Sequence, residues 1–453
     1  MKQGKTVDMT SGPITPQIIH FTVPLIIGNL CLLTYNAADS IIVGRFIGAN
    51  ALAAVGAASP IMNIILFLIV GICLGMSVLM GNFFGSGDIA KLKREISTAL
   101  IAGGVFTLVI IVLGLIFSHA ILSLMHTPLE IIDDATLFLR IIFVGMFFTF
   151  IYNIYASTLR SMGNSRASLY FLIASAVLNV ILDLLFVAVF KFGIAGAACA
   201  TVIAEALSAL FCIIYVSKRI PILKYTRHEF VFDRSLLRET VNYSSVAAMQ
   251  QITLHLGKLL VQGAVNPLGI FAIAAFNAVG KIDDFVMIIQ QNIAHGTTGF
   301  LAQNNGSGNG AKRIRKGFYT GLKMEVIYSL VMGIIIFVFA RQFVTLFVGN
   351  EGVKVVDSGV KYLRIMSFLY LLPGVTNILQ GYFRGLGKMK ITLNSTFIQI
   401  VGRVIAAYFM APYFGLKGIA LACLVGWIFM LAYELYVFIK TWKVNKVSLN
   451  QME

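Results

Sequence analysis

Charge is what this chain has little of. Asp, Glu, Lys and Arg make up 12% of its 453 residues, against 58% hydrophobic residues. A soluble domain carries about twice that charged fraction. The composition therefore excludes an ordinary globular protein and predicts a polytopic helical membrane protein. Cysteine is also sparse. Cys31, Cys73, Cys199, Cys212 and Cys423 all fall in apolar stretches, and their spacing supports neither a disulfide framework nor a zinc site. The six histidines lack metal-ligand spacing. No nucleophile–base set and no large soluble domain point to an enzyme. Met1–Thr15 is polar, and the first apolar stretch is too long for a cleaved signal peptide.

What is present is long apolar segments. A spanning helix needs about 20 mostly apolar residues. Twelve are read: Ile18–Val43, Leu52–Phe83, Ile96–Phe117, Ile132–Ser157, Ser168–Phe190, Ala195–Val216, Val241–Ala264, Ile273–Ala302, Phe318–Ala340, Val360–Phe383, Ile391–Ala411 and Gly418–Ile439. The formal charge of +16 does not indicate nucleic acid. The basic residues sit in alternate short loops, from Lys91, Lys93 and Arg94 through Arg219, Arg227 and Arg234 to Arg384, Lys388 and Lys390. Such a bias marks the cytoplasmic side and meets anionic lipid headgroups. Both termini fall on that side.

The chain repeats itself. At an offset of about 221 positions Gly75 meets Gly296, Gly85 meets Gly306, Gly87 meets Gly308 and Arg94 meets Arg315. Leu159-Arg-Ser-Met-Gly163 matches Phe383-Arg-Gly-Leu-Gly387, and Gly193-Ile-Ala-Gly196 matches Gly415-Leu-Lys-Gly418. Each copy holds an even number of spans, so both insert in one orientation. The expected fold is all-α, with twelve transmembrane helices in two pseudo-twofold-related six-helix lobes around a central cavity. The lobes are placed at 1–216 and 239–453, joined by a basic cytoplasmic linker at 217–238. The matched loops Gly85-Ser-Gly-Asp88 and Gly306-Ser-Gly-Asn309 lack the context of a phosphate cradle and read as turns.

Two acids interrupt the apolar pattern. Asp39 and Asp183 each lie inside a span, where a carboxylate costs about 3 kcal/mol even on lenient scales. Asn179 is four residues before Asp183, on the same helix face, and Thr201 is near the middle of the next span. Two carboxylates, an amide and a hydroxyl can share a proton or hold a small cation such as sodium through oxygen. These residue types leave the choice open. Pro24 interrupts the first span and marks a bend, and Asn36 adds polarity to the same helix. The second copy carries a different set: Gln250, His255, Lys258, Lys281, Asp283, Asp284, Gln291 and Arg403, expected to line a cavity or knit helices. Lys258 has an Asp of the eighth span as its natural partner. Glu205 is a further candidate.

The strings Pro24-Leu25, Asn36-Ala-Ala-Asp39-Ser-Ile-Ile-Val-Gly44-Arg45, Ala51-Leu-Ala-Ala-Val-Gly56 and Asn179-Val-Ile-Leu-Asp183 resemble the multidrug and toxic compound extrusion (MATE) family. The closest likeness is to its DNA-damage-inducible branch. The resemblance covers nearly the whole chain. It implies a cation-coupled antiporter, without cofactor, that exports small amphipathic and often cationic compounds; short loops and the absence of targeting segments suit a bacterial inner membrane, and a monomer is expected. The coupling ion would be the proton before sodium, held by Asp39, Asn179, Asp183 and Thr201, with Pro24 as the bend. Other branches place acids in the seventh and tenth spans, which this chain does not reproduce. The alternative is a lipid-linked saccharide flippase, which would need a cationic cavity.

Overall fold

The computed structural model describes residues 7–224, 229–308, 310–348 and 352–450, the last nine of these as backbone only. Arg227, Asn309 and both chain ends lie outside the described residues. Among the described residues every regular element is a helix: α1 (Ile14–Phe46), α2 (Ala49–Gly85), α3 (Ile89–Leu124), α4 (Leu129–Ser161), α5 (Ser165–Asp183), α6 (Gly193–Arg219), α7 (Arg234–Val265), α8 (Ile270–Gly306), α9 (Gly310–Val348), α10 (Val353–Leu369), α11 (Leu371–Gly385), α12 (Met389–Phe414) and α13 (Leu416–Asn450). Short 3-10 turns and one π-helical turn, Leu184–Val189, complete the set.

Eleven of the twelve expected spans fall on one helix each, counting the π turn with α5. The tenth falls on α10 and α11, which are bent by 44° at Tyr370. α7 and α8 are 32 and 37 residues long, enough to cross a bilayer. They are nevertheless too polar to pass as spans by composition, unlike the other nine helices and the bent pair. Their Gln, His, Lys and Asp residues are the cause. Elsewhere the polarity is inverted relative to a soluble fold. On α3, Val105, Leu108, Val109, Val112 and Ile116 are exposed, whereas Thr98 and Thr107 are buried. A continuous apolar outer face suits hydrocarbon, and helices satisfy their backbone internally there.

The chain forms two compact units that cut through helices instead of loops. The first comprises residues up to Ser11 and Val23–Ala248; the second comprises Gly12–Thr22 and Met249 onward. The opening turns of α1 thus belong to the second unit, and the first half of α7 belongs to the first. The repeat glycines explain both assignments. A Cβ on Gly75 of α2 would come 2.6 Å from the Ser244 backbone of α7. Its repeat mate Gly296 of α8 is packed equally hard against Thr22 of α1. At Gly75 only glycine lets the two backbones meet, whereas at Gly296 the close neighbour is the Thr22 side chain. Further along, Lys93 of α3 pairs with Glu229 at 2.8 Å, Ser97 donates to the Val231 carbonyl at 2.7 Å and Thr240 donates to Glu95 at 2.8 Å. The chain leading into α7 is thereby fastened to α3.

The other matched glycines close helices. Gly163 and Gly387 have φ of 77° and 74°, and each closes its helix with the same backbone bond: Gly163 N to Arg160 O at 2.9 Å and Gly387 N to Arg384 O at 2.8 Å. Gly87 and Gly308 are likewise left-handed, as turns require. A Gly75→Val substitution should cost about 1–3 kcal/mol through overpacking. Thermal unfolding of the detergent-solubilised protein checks this; an unchanged melting temperature would mean that α2 and α7 do not touch there.

Candidate functional site

The polar set of the first unit is assembled by three helices. α5 starts at Asn164, whose Oδ1 accepts the Ala167 N–H at 3.1 Å, and it ends at Asp183, where the backbone widens into the π turn. Its Asn179 and Asp183 share a face and are 2% and 0% exposed. α6 runs alongside. There Thr201 Oγ1 accepts from Asn179 Nδ2 at 3.3 Å and donates to the Ala197 carbonyl at 3.2 Å. α1 contributes half-buried Asp39, whose carboxyl group lies within hydrogen-bonding reach of Asp183. Pro24 is buried lower on α1, and Asn36 is exposed.

The set is rich in acceptors and poor in donors. Asp39 Oδ1, Asn179 Oδ1 and both oxygens of Asp183 are buried with no hydrogen-bond partner among the described residues. Buried acceptors without donors are costly. Two facing carboxylates raise that cost unless a positive charge joins them. The donor chemistry therefore fits a proton or a small hard cation. Thr201 fixes which end of the Asn179 amide faces the carboxylates. Thr201→Val should remove about 1 kcal/mol of that orientation; if a cation binds here, about fivefold more of it should then be needed for half-maximal occupancy, which a cation titration of the purified protein checks.

Comparison with known proteins identifies the fold that carries this set. The MatE family model matches residues 24–185 and 247–409, one match in each repeat. The chain belongs to the MatE family. It is 28% identical over 446 residues to the probable multidrug resistance protein YpnP of Bacillus subtilis, covering 98% of this chain and 99% of the relative. It is 30% identical over 376 residues to the probable multidrug resistance protein YoeA of the same organism, covering 82% and 81%. A crystal structure of MATE in the bent conformation superposes with a TM-score of 0.92 at 22% identity, covering 99% of this chain and 100% of that one. The two-lobe, all-α polytopic fold expected from the sequence is thereby established. As a MatE protein the chain is a membrane transporter and not an enzyme.

The polar set takes in Glu205, a candidate from sequence, and Tyr35, which was not singled out. Tyr35, one turn before Asp39, interacts electrostatically with Asp39, Asp183 and Glu205. Glu205, one turn after Thr201, accepts a hydrogen bond from Thr149 of α4 at 2.5 Å. Spacing of four from a known member is the signal that finds both. The second unit distributes its polar residues differently. Gln250 is buried, donating to Gln380 Oε1 and Thr396 Oγ1 at 3.0 Å each, so it knits α7 to α11 and α12. Lys258 pairs with Asp284 at 2.9 Å on an exposed face. Asp283 accepts from the Tyr370 hydroxyl at 2.5 Å and is attracted to Arg403. His255 is half-buried, and Lys281 and Gln291 are exposed. Glu325 and Glu434, both fully buried, were missed, although each is an acid inside an expected apolar span, the same signal that marks Asp39.

Proposed function

We propose that this chain is a cation-coupled antiporter that exports amphipathic, often cationic compounds by alternating access. The proton is preferred to sodium as the coupling ion, and the carriers are Asp39, Asn179, Asp183 and Thr201. Multidrug efflux is the activity named for its relatives. The observation that supports the coupling assignment is the buried acceptor set on α1 and α5, two carboxyls face to face without a donor. With no cation, α1 and α5 repel one another at this level; one proton or ion joins them. α1 is suited to respond. Pro24 removes the backbone bond to His20, which weakens the helix below Asp39. Gly28 lets α1 lie against Leu172 and Leu169 of α5, at 3.1 and 3.4 Å from where a Cβ would stand. Cation binding would then change how the upper part of α1 packs and lower the affinity for an exported cation.

The Lys and Arg bias of the loops supports a cytoplasmic position for both termini, and the expected monomer and bacterial inner-membrane location are part of the proposal. The flippase alternative needs a surplus of cations. Arg403 faces Asp283 and Lys258 is bonded to Asp284, which offsets that surplus. The reading is tested with wild-type protein in liposomes, following export of a cationic dye under a proton gradient and a sodium gradient imposed separately. Export driven by the proton gradient is expected. Drive by sodium alone would change the ion, and no drive by either would end the antiport reading.

A further inference from the structure

Glu325 lies in the middle third of α9, fully buried, and neither of its carboxyl oxygens has a hydrogen-bond partner among the described residues. One turn on, Ser329 Oγ accepts from Gln290 Nε2 of α8 at 2.9 Å. The same Nε2 also donates to the Tyr370 carbonyl at 2.9 Å. Both amide hydrogens are thus used, which fixes the orientation of Gln290 and leaves Oε1 buried without a partner. Glu325 and Ser329 meet at Gly374 of α11. A Cβ there would stand 2.5 Å from Ser329 Oγ, 3.1 Å from Glu325 Cγ and 3.2 Å from Glu325 Oε1.

We propose that Glu325, Gln290 and Ser329 form a second proton-binding site, inside the second unit and separate from the Asp39 set, whose occupancy governs the bend between α10 and α11. The unsatisfied groups are all acceptors, so the missing ligand is a donor or a cation. A hard metal ion takes about six or more oxygens. This cluster offers only two carboxyl oxygens, one amide oxygen and a hydroxyl, in a space too tight for a methyl group at Gly374. A proton needs no added volume. Taken up from water, it turns one Glu325 oxygen into a donor and removes the buried charge.

The link to the bend is direct. Tyr370, at the 44° break, receives Gln290 on its carbonyl and ties its hydroxyl to Asp283. Gly374, against Glu325, is in the first turn of α11. A charge appearing at Glu325 would therefore act on the helix end that pivots at Tyr370. The titratable groups around it are Tyr328 on α9, bonded to the Val286 carbonyl at 3.2 Å, and Tyr370 and Asp283 beyond Gln290. None supplies a positive charge.

The site stands on geometry independent of the Asp39 set, although its use in transport rests on the reading that export is cation-driven. Infrared difference spectra of the full chain in lipid discs, recorded against pH and against added cationic dye, report protonated carboxyls whether or not export is coupled. A protonated-carboxyl band that responds to pH and dye is expected. It should persist in Asp39→Asn, shift in Gln290→Leu and be lost in Glu325→Gln. A Glu325-dependent band unmoved by pH and dye would overturn the proposal, because the acid would then be permanently neutral. Spectra unchanged in both second-unit variants would also overturn it. The Gln290→Leu shift decides the matter if Glu325→Gln does not fold.

Discussion

Asp183→Asn is expected to abolish gradient-driven accumulation of substrate in proteoliposomes, and Asp39→Asn to do the same. One charge moving through a 100 mV potential supplies about 2.3 kcal/mol, enough for a roughly 50-fold concentration ratio. Without an ionisable carboxyl at Asp183 the set has no second charge for the cation to neutralise, so the ratio falls to about one. The amide is nearly isosteric, so folding should survive, and dye binding at equilibrium should be retained. Accumulation measured beside binding separates loss of coupling from loss of the protein. If Asp183→Asn still concentrates the dye, the coupling site lies elsewhere, and the second-unit acids Asp283 and Glu325 become the first places to look.

The second large effect is on stability. Arg384 ends α11 almost fully buried, donating to Gln380 Oε1 at 3.0 Å, and it attracts fully buried Glu434 of α13. Gln380 in turn donates to Thr396 at 3.1 Å and Ser395 at 3.2 Å on α12. Removing Arg384 takes away the positive charge that offsets buried Glu434, whose carboxyl oxygens have no hydrogen-bond partner among the described residues, and an uncompensated buried charge costs up to about 3–5 kcal/mol. Arg384→Met should therefore lower the melting temperature of the detergent-solubilised protein sharply. The Arg384→Met/Glu434→Leu double variant should recover most of the loss, because well-packed apolar residues replace such pairs at little cost. Equal melting of the single and double variants would show that the two side chains do not act as a pair.

How much was legible follows from where each signal resides. Asp39 and Asp183 stood out because an acid in an apolar run is costly wherever it points. Asn179 followed from its spacing on α5. The matched glycines were visible because both copies need left-handed turns at Gly163 and Gly387 and bare backbone at Gly75 and Gly296. α7 and α8 were read as spans from the length of their mostly apolar stretches, although their polar residues leave them short of a spanning composition. The break at Tyr370 was missed although Pro373-Gly374 marks it: Pro373 cannot bond the Leu369 carbonyl, where α10 ends. The division of α1 at Thr22 and of α7 at Ala248 was also hidden. It depends on which helix meets Gly296 and Gly75, and cross-helix register is a property of packing. Gln250 and Arg403 were visible as polar residues, but their partners Gln380, Thr396 and Asp283 lie on other helices and could be named only from the structure.

Proton release on substrate binding tests the central claim most directly. Cationic dye is added to purified protein in a weakly buffered solution, and the pH change is followed for wild type and for Asp39→Asn. If the Asp39–Asp183 set holds the coupling proton and competes with an exported cation, wild type releases protons in proportion to dye bound, and the release falls in the variant. Dye binding without proton release in wild type, or an equal release from Asp39→Asn, would contradict the account.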